Sequence, residues 1–542
     1  MTLSDRDRTT GDPLPFEDAD IYYRFRAEHG RASALLGTIP RNDDELVALA
    51  RARTPDPARR AAVVAVLMEH WRGIRLDGAA LESRDLLANP ATHIVIAGQQ
   101  PALCGGPLLI LLKALSVARL ARRLRELGVP AAPLFWIADE DHDVRELAAG
   151  AISTGAELVD LPLPFAPGRR SINRLETDNH GASILQQLRA LLPASALARE
   201  WWPWIEGSLL MPPALGFREL LLKLLQGEGL LPVHPFWLRG LQAPVIRAEL
   251  RAPGALERDV GLATSAMRIV GLPAPIPHAE QLPFFLCDEV GDRHRLKRRD
   301  GAIVWQANSG TRFEGDALEQ LLVTAPERFS PDALLRPLCQ DYVLEPLCAV
   351  LGPTEMGYHC ELGPAYATRR IVRPVLMPRL RVQVVTPSVA ARLSALGLAP
   401  GALRSKQSDA ELAPSPAARS LVTTIELEAT RVLAELDRVA TAPDHTRALR
   451  RRAERLARRW RKDVEDLAQA IGREVGTGVA RERSELAALR AELFPNGAPG
   501  ERALALVDYL ARYGLTALLR LADVYDPYDA RERVVVMPEL SE

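Results

Sequence analysis

The spacing of apolar positions changes period several times along the chain, and each change marks an element. Up to about residue 90 they recur at helical intervals, as in AARRAAVVAVLMEHW, which predicts helices. At 93–98 the run HIVIAG is short, continuous and rich in β-branched residues, the pattern of a strand buried on both faces. A loop of small and polar residues follows. Then Leu108, Leu111, Leu112, Leu115 and Ala118 fall on one helical face behind Pro107, a residue suited to a first helical turn. Arg119, Arg122, Arg123 and Arg125 load the C-terminal half, where the helix dipole favours cations. APLFWIA at 132–138 predicts a second buried strand. Strand, helix and strand in this order predict a βαβ unit with a parallel sheet, the start of a Rossmann-like α/β core.

Between about 160 and 330 the texture is mixed and proline-rich, and LPFFLCDEVGDRHRLKRRDGAIVW reads as a hairpin turning at Gly291. We read 161–330 as insertions within a core that occupies 1–160 and 331–414. Residues 333–362 read as helix, Gly-Pro loop, helix. From about 415 to 495 Ile425, Ala429, Val432, Leu436 and Val439 are spaced 4, 3, 4 and 3. After a break, Leu449, Leu456, Trp460, Val464, Leu467 and Ile471 follow at 7, 4, 4, 3 and 4. These are coiled-coil seams, and a helical hairpin joining two copies of the chain is the expected arrangement. The segment 496–542 predicts helix and then a terminal strand, returning to the core.

Composition narrows the function by exclusion. The 542 residues carry 68 basic and 69 acidic side chains, a formal net charge of -1, which gives no polyelectrolyte signal for nucleic acid or an anionic membrane. The opening MTLSDRDRTTGDPLPF lacks the basic and apolar regions of a signal peptide, and no run approaches a membrane span. A cytoplasmic protein is expected. The five cysteines are scattered and include no CxxC pair, so neither a zinc ribbon nor a disulfide framework is supported; only Cys104 falls in a candidate site.

Three stretches could carry chemistry. In AGQQPALCGGP, Gly98, Gly105 and Gly106 could let backbone amides approach a ligand, with a helix N-terminus behind them to favour an anion. Gln99 and Gln100 each offer a donor and an acceptor. In WIADEDHDVREL, Asp139, Glu140, Asp141 and Asp143 surround His142. Such a cluster must be solvated, paired or holding a cation, and His142 could be a general acid or base oriented by Asp139 or Asp143. An alternative function on the same residues is a metal-dependent hydrolase or transferase, whose hard oxygen ligands would suit magnesium or manganese. In LGPTEMGYHCELGPAY, Glu355, Tyr358 and His359 lie about one helical turn apart.

AGQQPALCGGPLLILLKALSVARLARRL followed by LFWIADEDHDVREL resembles the signature of the bacillithiol biosynthesis cysteine-adding enzymes, the BshC family. The resemblance continues through FSPDALLRPLCQDYVLEPLCAVLGPTEMGYHCEL and PVLMPRL to ERALALVDYLARYGL. It implies a core related to nucleotidyltransferases and class I synthetases, with connecting-peptide insertions and a coiled-coil dimerisation domain. It also implies addition of L-cysteine to glucosamine-malate by a ligase, with ATP as a possible co-substrate and no metal assigned. Carried onto this chain, the matching residues are Gly98, Gln99, Gln100, Gly106, Pro107 and Lys113, then Glu140, Asp141, His142 and Asp143, with Pro101, Cys104 and Gly105 departing from the usual loop. His142, Asp141, Asp143 and Lys113 are then the expected catalytic residues. The others, with Glu355 and Tyr358, would bind substrate.

Overall fold

The computed structural model describes residues 33–155, 157–176, 180–269, 281–299, 302–305, 311–404 and 416–540; the opening residues, and the expectation about a leader, lie outside them. After a single helical turn at Ser33–Leu36 come three longer helices, α1 (Asp43–Arg51), α2 (Pro57–Trp71) and α3 (Gly78–Leu87). Each starts where Asn42, Asp56 or Asp77 accepts a first-turn amide hydrogen bond, which satisfies donors that have no partner inside the helix. Among the described residues no helix is long and apolar enough to cross a membrane.

The core sheet is built from β1 (His93–Gln99), β2 (Ala131–Ile137), β3 (Leu231–Val233), β9 (Cys348–Leu351) and β10 (Val375–Pro378). Its order is β10-β9-β1-β2-β3, parallel throughout. A second, antiparallel sheet contains β4 (Gln281–Cys287), β5 (Arg293–Arg299), β6 (Ala302–Trp305), β7 (Arg312–Phe313) and β8 (Phe329–Pro331), in the order β8-β4-β5-β6-β7. The continuous apolar runs of the core strands follow from burial on both faces. Val95 and Ala97 of β1 enter one apolar cluster with helix α4 (Leu108–Glu126). Ile94 and Ile96 enter the opposite cluster with Val63, Leu67 and Trp71 of α2.

Two strands depart from the sequence reading. β3 joins the core sheet from within 161–330, so that span is not wholly insertion. β9 separates helix α5 (Leu335–Leu344) from the Gly-Pro loop, where a direct helix–loop–helix was expected. Both strands are only three or four residues long, too short to establish a period. Glu345, in the left-handed region at φ 44°, turns the chain out of α5 toward β9. The hairpin β4–β5 does turn at Gly291, whose φ of 89° suits glycine.

Strand order matters for function. From β1 the chain steps outward to β2 and β3, whereas β9 and β10 lie on β1's other side. The reversal between β1 and β9 is a topological switch point, where the loops beyond the carboxyl ends of two neighbouring strands diverge and leave a crevice.

The chain divides into two compact units, one running to Pro387 and resuming at Pro499, the other spanning Ser388–Ala498. In the second, α7 (Pro416–Thr441) and α8 (Arg447–Leu493) pack along one another. Among the described residues in the first half of α8, Ala453 and Ala457 are buried, while the expected seam residues Leu449, Leu456, Trp460 and Leu467 are exposed. Alanines allow close helix approach and turn the longer side chains outward. The side chain of Ile471 is outside the described residues.

In the first unit, Arg379 after β10 donates to Glu501 at 2.5 and 3.1 Å, both residues being buried. Glu501 also accepts from the Val382 amide. Burial alone would raise the Glu501 carboxyl, but Arg379's charge and hydrogen bonds hold it below its ordinary value. Glu501→Gln should therefore cost about 3–5 kcal/mol, because it leaves a buried guanidinium without its counter-charge. The wild-type pair stabilises fully above the unfolded carboxyl's value, and that contribution is lost as pH falls through the lower folded value. Unfolding curves of wild type and variant across acid pH check both statements.

Candidate functional site

The carboxyl ends of β1, β2 and β9 open into a cleft of about 780 Å³. Its walls include Gly98, Gln99, Gln100, Pro107, Lys113, Glu140, Asp141, His142, Glu355 and Tyr358. Cys104, Gly106 and Asp143 are not among the lining residues.

The first loop is shaped by packing more than by access to a ligand. Cys104, Gly105 and Gly106 have φ of 55°, 82° and 73°. A Cβ on Gly106 would lie 2.6 Å from Ile110 and 2.7 Å from Ala102. The Gly106 amide donates to Leu103 O, and its carbonyl accepts from the Leu506 amide. The expected backbone anion cradle is therefore absent at Gly106, because these groups already bond within the protein. Cys104 is buried and its thiol is pushed up to about 12 by desolvation, which removes it as a nucleophile. Gly98 faces Trp136 across the β1–β2 ladder, where a Cβ would approach within 3.3 Å.

Lys113 reaches from α4 to the switch point. Its ammonium contacts Gly98 O at 3.0 Å, Gln99 Oε1 at 2.8 Å and Glu355 Oε2 at 2.7 Å. An ammonium has three N–H donors, and each has an acceptor here. Glu355 lies on helix α6 (Pro353–Glu361), where its carboxylate also accepts from the Gly352 amide at 2.8 Å. Burial would raise this carboxyl, but the charge of Lys113 and these hydrogen bonds keep it below its usual value. Tyr358 takes a hydrogen bond from Arg336 at 3.4 Å, and burial pushes its phenol upward. His359 is buried away from the cleft.

The carboxylates of the second loop diverge. Asp139 points inward to His234 Nδ1 at 2.6 Å, and Glu140 pairs with buried Arg239. Asp143 caps the turn Val144–Leu147 and pairs with Arg145 at 2.6 Å. Only Asp141 reaches across the rim: Gln100 Nε2 donates to it at 2.6 Å and Arg293 Nη1 at 3.1 Å. Burial would raise Asp141, but the hydrogen bond from the His142 amide, the charge of Arg293 and the donation from Gln100 outweigh it and hold the carboxyl well below the usual range. Among the described residues no three His, Cys, Asp or Glu side chains converge as a metal group, and the separate pairings explain why the metal-centre alternative lacks a donor set.

His142 differs from expectation in its partners. Neither Asp139 nor Asp143 orients it. Its Nδ1 lies 3.0 Å from Arg293 Nη1 and 3.4 Å from Asp141 Oδ1. A guanidinium can only donate, so the shorter contact makes Nδ1 the acceptor and leaves the ring proton on Nε2. His142 then has its Nε2–H available as a hydrogen-bond donor.

Sequence reasoning missed the basic side of this cleft. Arg293, Arg295, Arg336, Arg379 and Arg502 line it from four other segments. In a chain with so many arginines, nothing in their local spacing distinguishes them. Glu146 also lines it, and partial burial with the charges of Asp143 and Asp141 raises its affinity for a proton.

Residues 38–380 match the family model described as Bacillithiol biosynthesis BshC, N-terminal Rossmann-like domain. A curated relative from Thermus thermophilus is 30% identical over 520 residues, covering 91% of this chain and 96% of its own. One from Chlorobaculum tepidum is 26% identical over 523 residues, covering 88% and 89%. One from Symbiobacterium thermophilum is 31% identical over 364 residues, covering 61% and 63%. Each bears the name "Putative cysteine ligase BshC". The matches span just under two thirds of the Symbiobacterium and Salinibacter ruber relatives. Every strand of the core sheet and both rim loops lie inside the region matched by the family model, and the chain belongs to the BshC family of bacillithiol biosynthesis.

Proposed function

We propose that this chain is a cytoplasmic ligase that joins the carboxyl of L-cysteine to the amine of glucosamine-malate, forming an amide with ATP as co-substrate. The observation that supports this most directly is the cleft at the β1–β9 switch point, where Gln100, Asp141, Arg293 and His142 form one network. Its volume falls in the range of small-molecule sites, roughly 300–1,000 Å³. Seven cationic side chains and five carboxylates line it, a surplus that fits substrates bearing carboxylates or phosphates.

ATP, when bound, would supply a phosphoryl or nucleotidyl group that converts the cysteine carboxylate into a reactive acyl anhydride. The arginines of the basic wall are the residues suited to hold its phosphates. His142, with its proton on Nε2, would donate to the oxygen on which charge develops as the amine attacks the carbonyl carbon. Glu146, a cleft carboxylate whose proton affinity is raised, is suited to take the proton that the amine releases. Gln99 has its oxygen bonded to Lys113, which leaves its NH₂ as the group it can offer a ligand. The exposed stripe Leu449, Leu456, Trp460 and Leu467 supports association of two copies through α8.

Purified protein given cysteine, glucosamine-malate and ATP should form a cysteine-containing amide; no such product with any nucleotide would end the ligase reading. His142→Asn should lower turnover by about 10²–10⁴-fold with an unchanged melting temperature, since the ring supports no apolar core. Lys113→Met should act mainly on stability, by about 1.5–3 kcal/mol, the loss expected for hydrogen bonds to a charged group; denaturant titration separates this from an effect on KM. Light scattering should give a mass above that of the 59.4 kDa chain, and Leu456→Glu should return it to the monomer value.

A further inference from the structure

A second cavity, of about 200 Å³, opens beside the main cleft and is lined by His142, Arg169, Phe285, Arg293 and Arg295. All but Arg169 also line the main cleft, so His142 and the Phe285 ring stand where the two spaces meet.

The local structure forces three cations together. Arg293 and Arg295 are two residues apart on β5 and therefore project from the same face of the strand. Phe285 on β4 lies directly opposite Arg295 in the antiparallel register. Its ring has the Arg293 guanidinium 3.9 Å and the Arg295 guanidinium 4.2 Å from its centroid, and the His142 ring meets it edge-on at 5.6 Å. Cation–π attraction of this kind holds guanidiniums at an aromatic face. Arg169 is tied to the same strand by its backbone, since Arg169 O accepts from the Arg293 amide at 2.8 Å.

The neighbouring carboxylates offset part of this charge from outside the cavity. Asp141 pairs with Arg293 and Asp332 with Arg295, yet neither carboxylate lines the smaller space. Arg169 contacts the ring of His294 at 3.3 Å, and among the described residues it makes no ion pair with a carboxylate. Arg293 is buried and its Nε has no hydrogen-bond partner. An anion placed in the cavity would be attracted by all three guanidiniums at once.

We propose that the cavity bounded by Arg169, Arg293 and Arg295 is a subsite for a multiply charged anionic group, a phosphate chain or a dicarboxylate, carried by the molecule in the main cleft. It is too small for a whole substrate and shares four lining residues with the cleft that would hold the remainder. Arg169 is then its specificity-determining residue, belonging to the lobe alone. The subsite rests on the ligase reading only for the choice of probes.

The test is calorimetric titration of the full-length protein with inorganic pyrophosphate and, separately, with malate, each at low and high salt. At least one probe should bind, more weakly at high salt, and Arg169→Ala should weaken it about 10-fold, near the loss of one hydrogen bond to a charged group. Arg169→Lys should retain most of the affinity. Dependence on Arg169 for pyrophosphate alone assigns the lobe to the nucleotide's phosphates, for malate alone to the sugar's acid group, and for both to multivalent anions in general. Failure of both probes to bind, or binding indifferent to Arg169→Ala and Arg295→Ala, overturns the subsite. Arg169-dependent binding by a protein that makes no cysteine amide would keep the subsite and remove the ligase reading. Product formation with unchanged KM values in Arg169→Ala would do the reverse.

Discussion

The buried ammonium of Lys113 holds the site in its shape. Where strand order reverses, the loops after β1 and β9 have no ladder hydrogen bonds to keep them in register, and the crevice between them would otherwise be free to widen. Lys113 reaches this point from α4 and bonds to one backbone oxygen of β1, one side chain at its end and one carboxylate of α6. Removing a lysine from water is costly unless every donor is satisfied and a counter-charge is adjacent. Both conditions are met, so the geometry of the rim and the burial of the cation depend on one another.

A second balance surrounds Arg293. Four acidic residues in five would repel if they converged, and the fold instead turns each toward a different partner: His234, Arg239, Arg293 and Arg145. Of the four, Glu140 and Asp141 remain at the cleft, and Asp141 alone bonds to Gln100 across its rim. Because Arg293 bonds both to Asp141 and to the neighbouring imidazole, it also decides which nitrogen of His142 carries the proton. The tautomer of the His142 ring is thus set by the antiparallel sheet, not by the loop on which the histidine lies.

That division explains what the sequence could reveal. The β1–α4–β2 unit, the hairpin at Gly291 and the two rim loops were legible because each is signalled within a short window: a continuous apolar run, a glycine at positive φ, an unusual polar cluster. β3 and β9 were not, since three- and four-residue strands are placed by pairing with β2 and β1 and carry no period of their own. Which residues of α8 face its neighbour within the chain was not legible for a related reason. The heptad spacing was real, but the small residues Ala453 and Ala457 are the buried ones, and burial depends on the facing helix. Partners such as Arg293 for His142, 151 residues away, have no local signal at all.

The distribution of cations follows from the same chemistry. The chain has only five lysines, and the one in the cleft is where three separate point contacts in different directions are required, which suits a compact ammonium. Behind the wall, away from the cleft lining, the cation must also survive burial. Arg239, fully enclosed and pushed down by desolvation to about 10, still remains charged at neutral pH, whereas a lysine begins from a lower value and is more readily neutralised when buried. A planar guanidinium can also lie against Phe285 while donating in its own plane, as Arg293 does to Asp141 and His142. Substituting lysine there would keep the formal charge but lose the stacking and the double donation, and with them the constraint on the His142 ring.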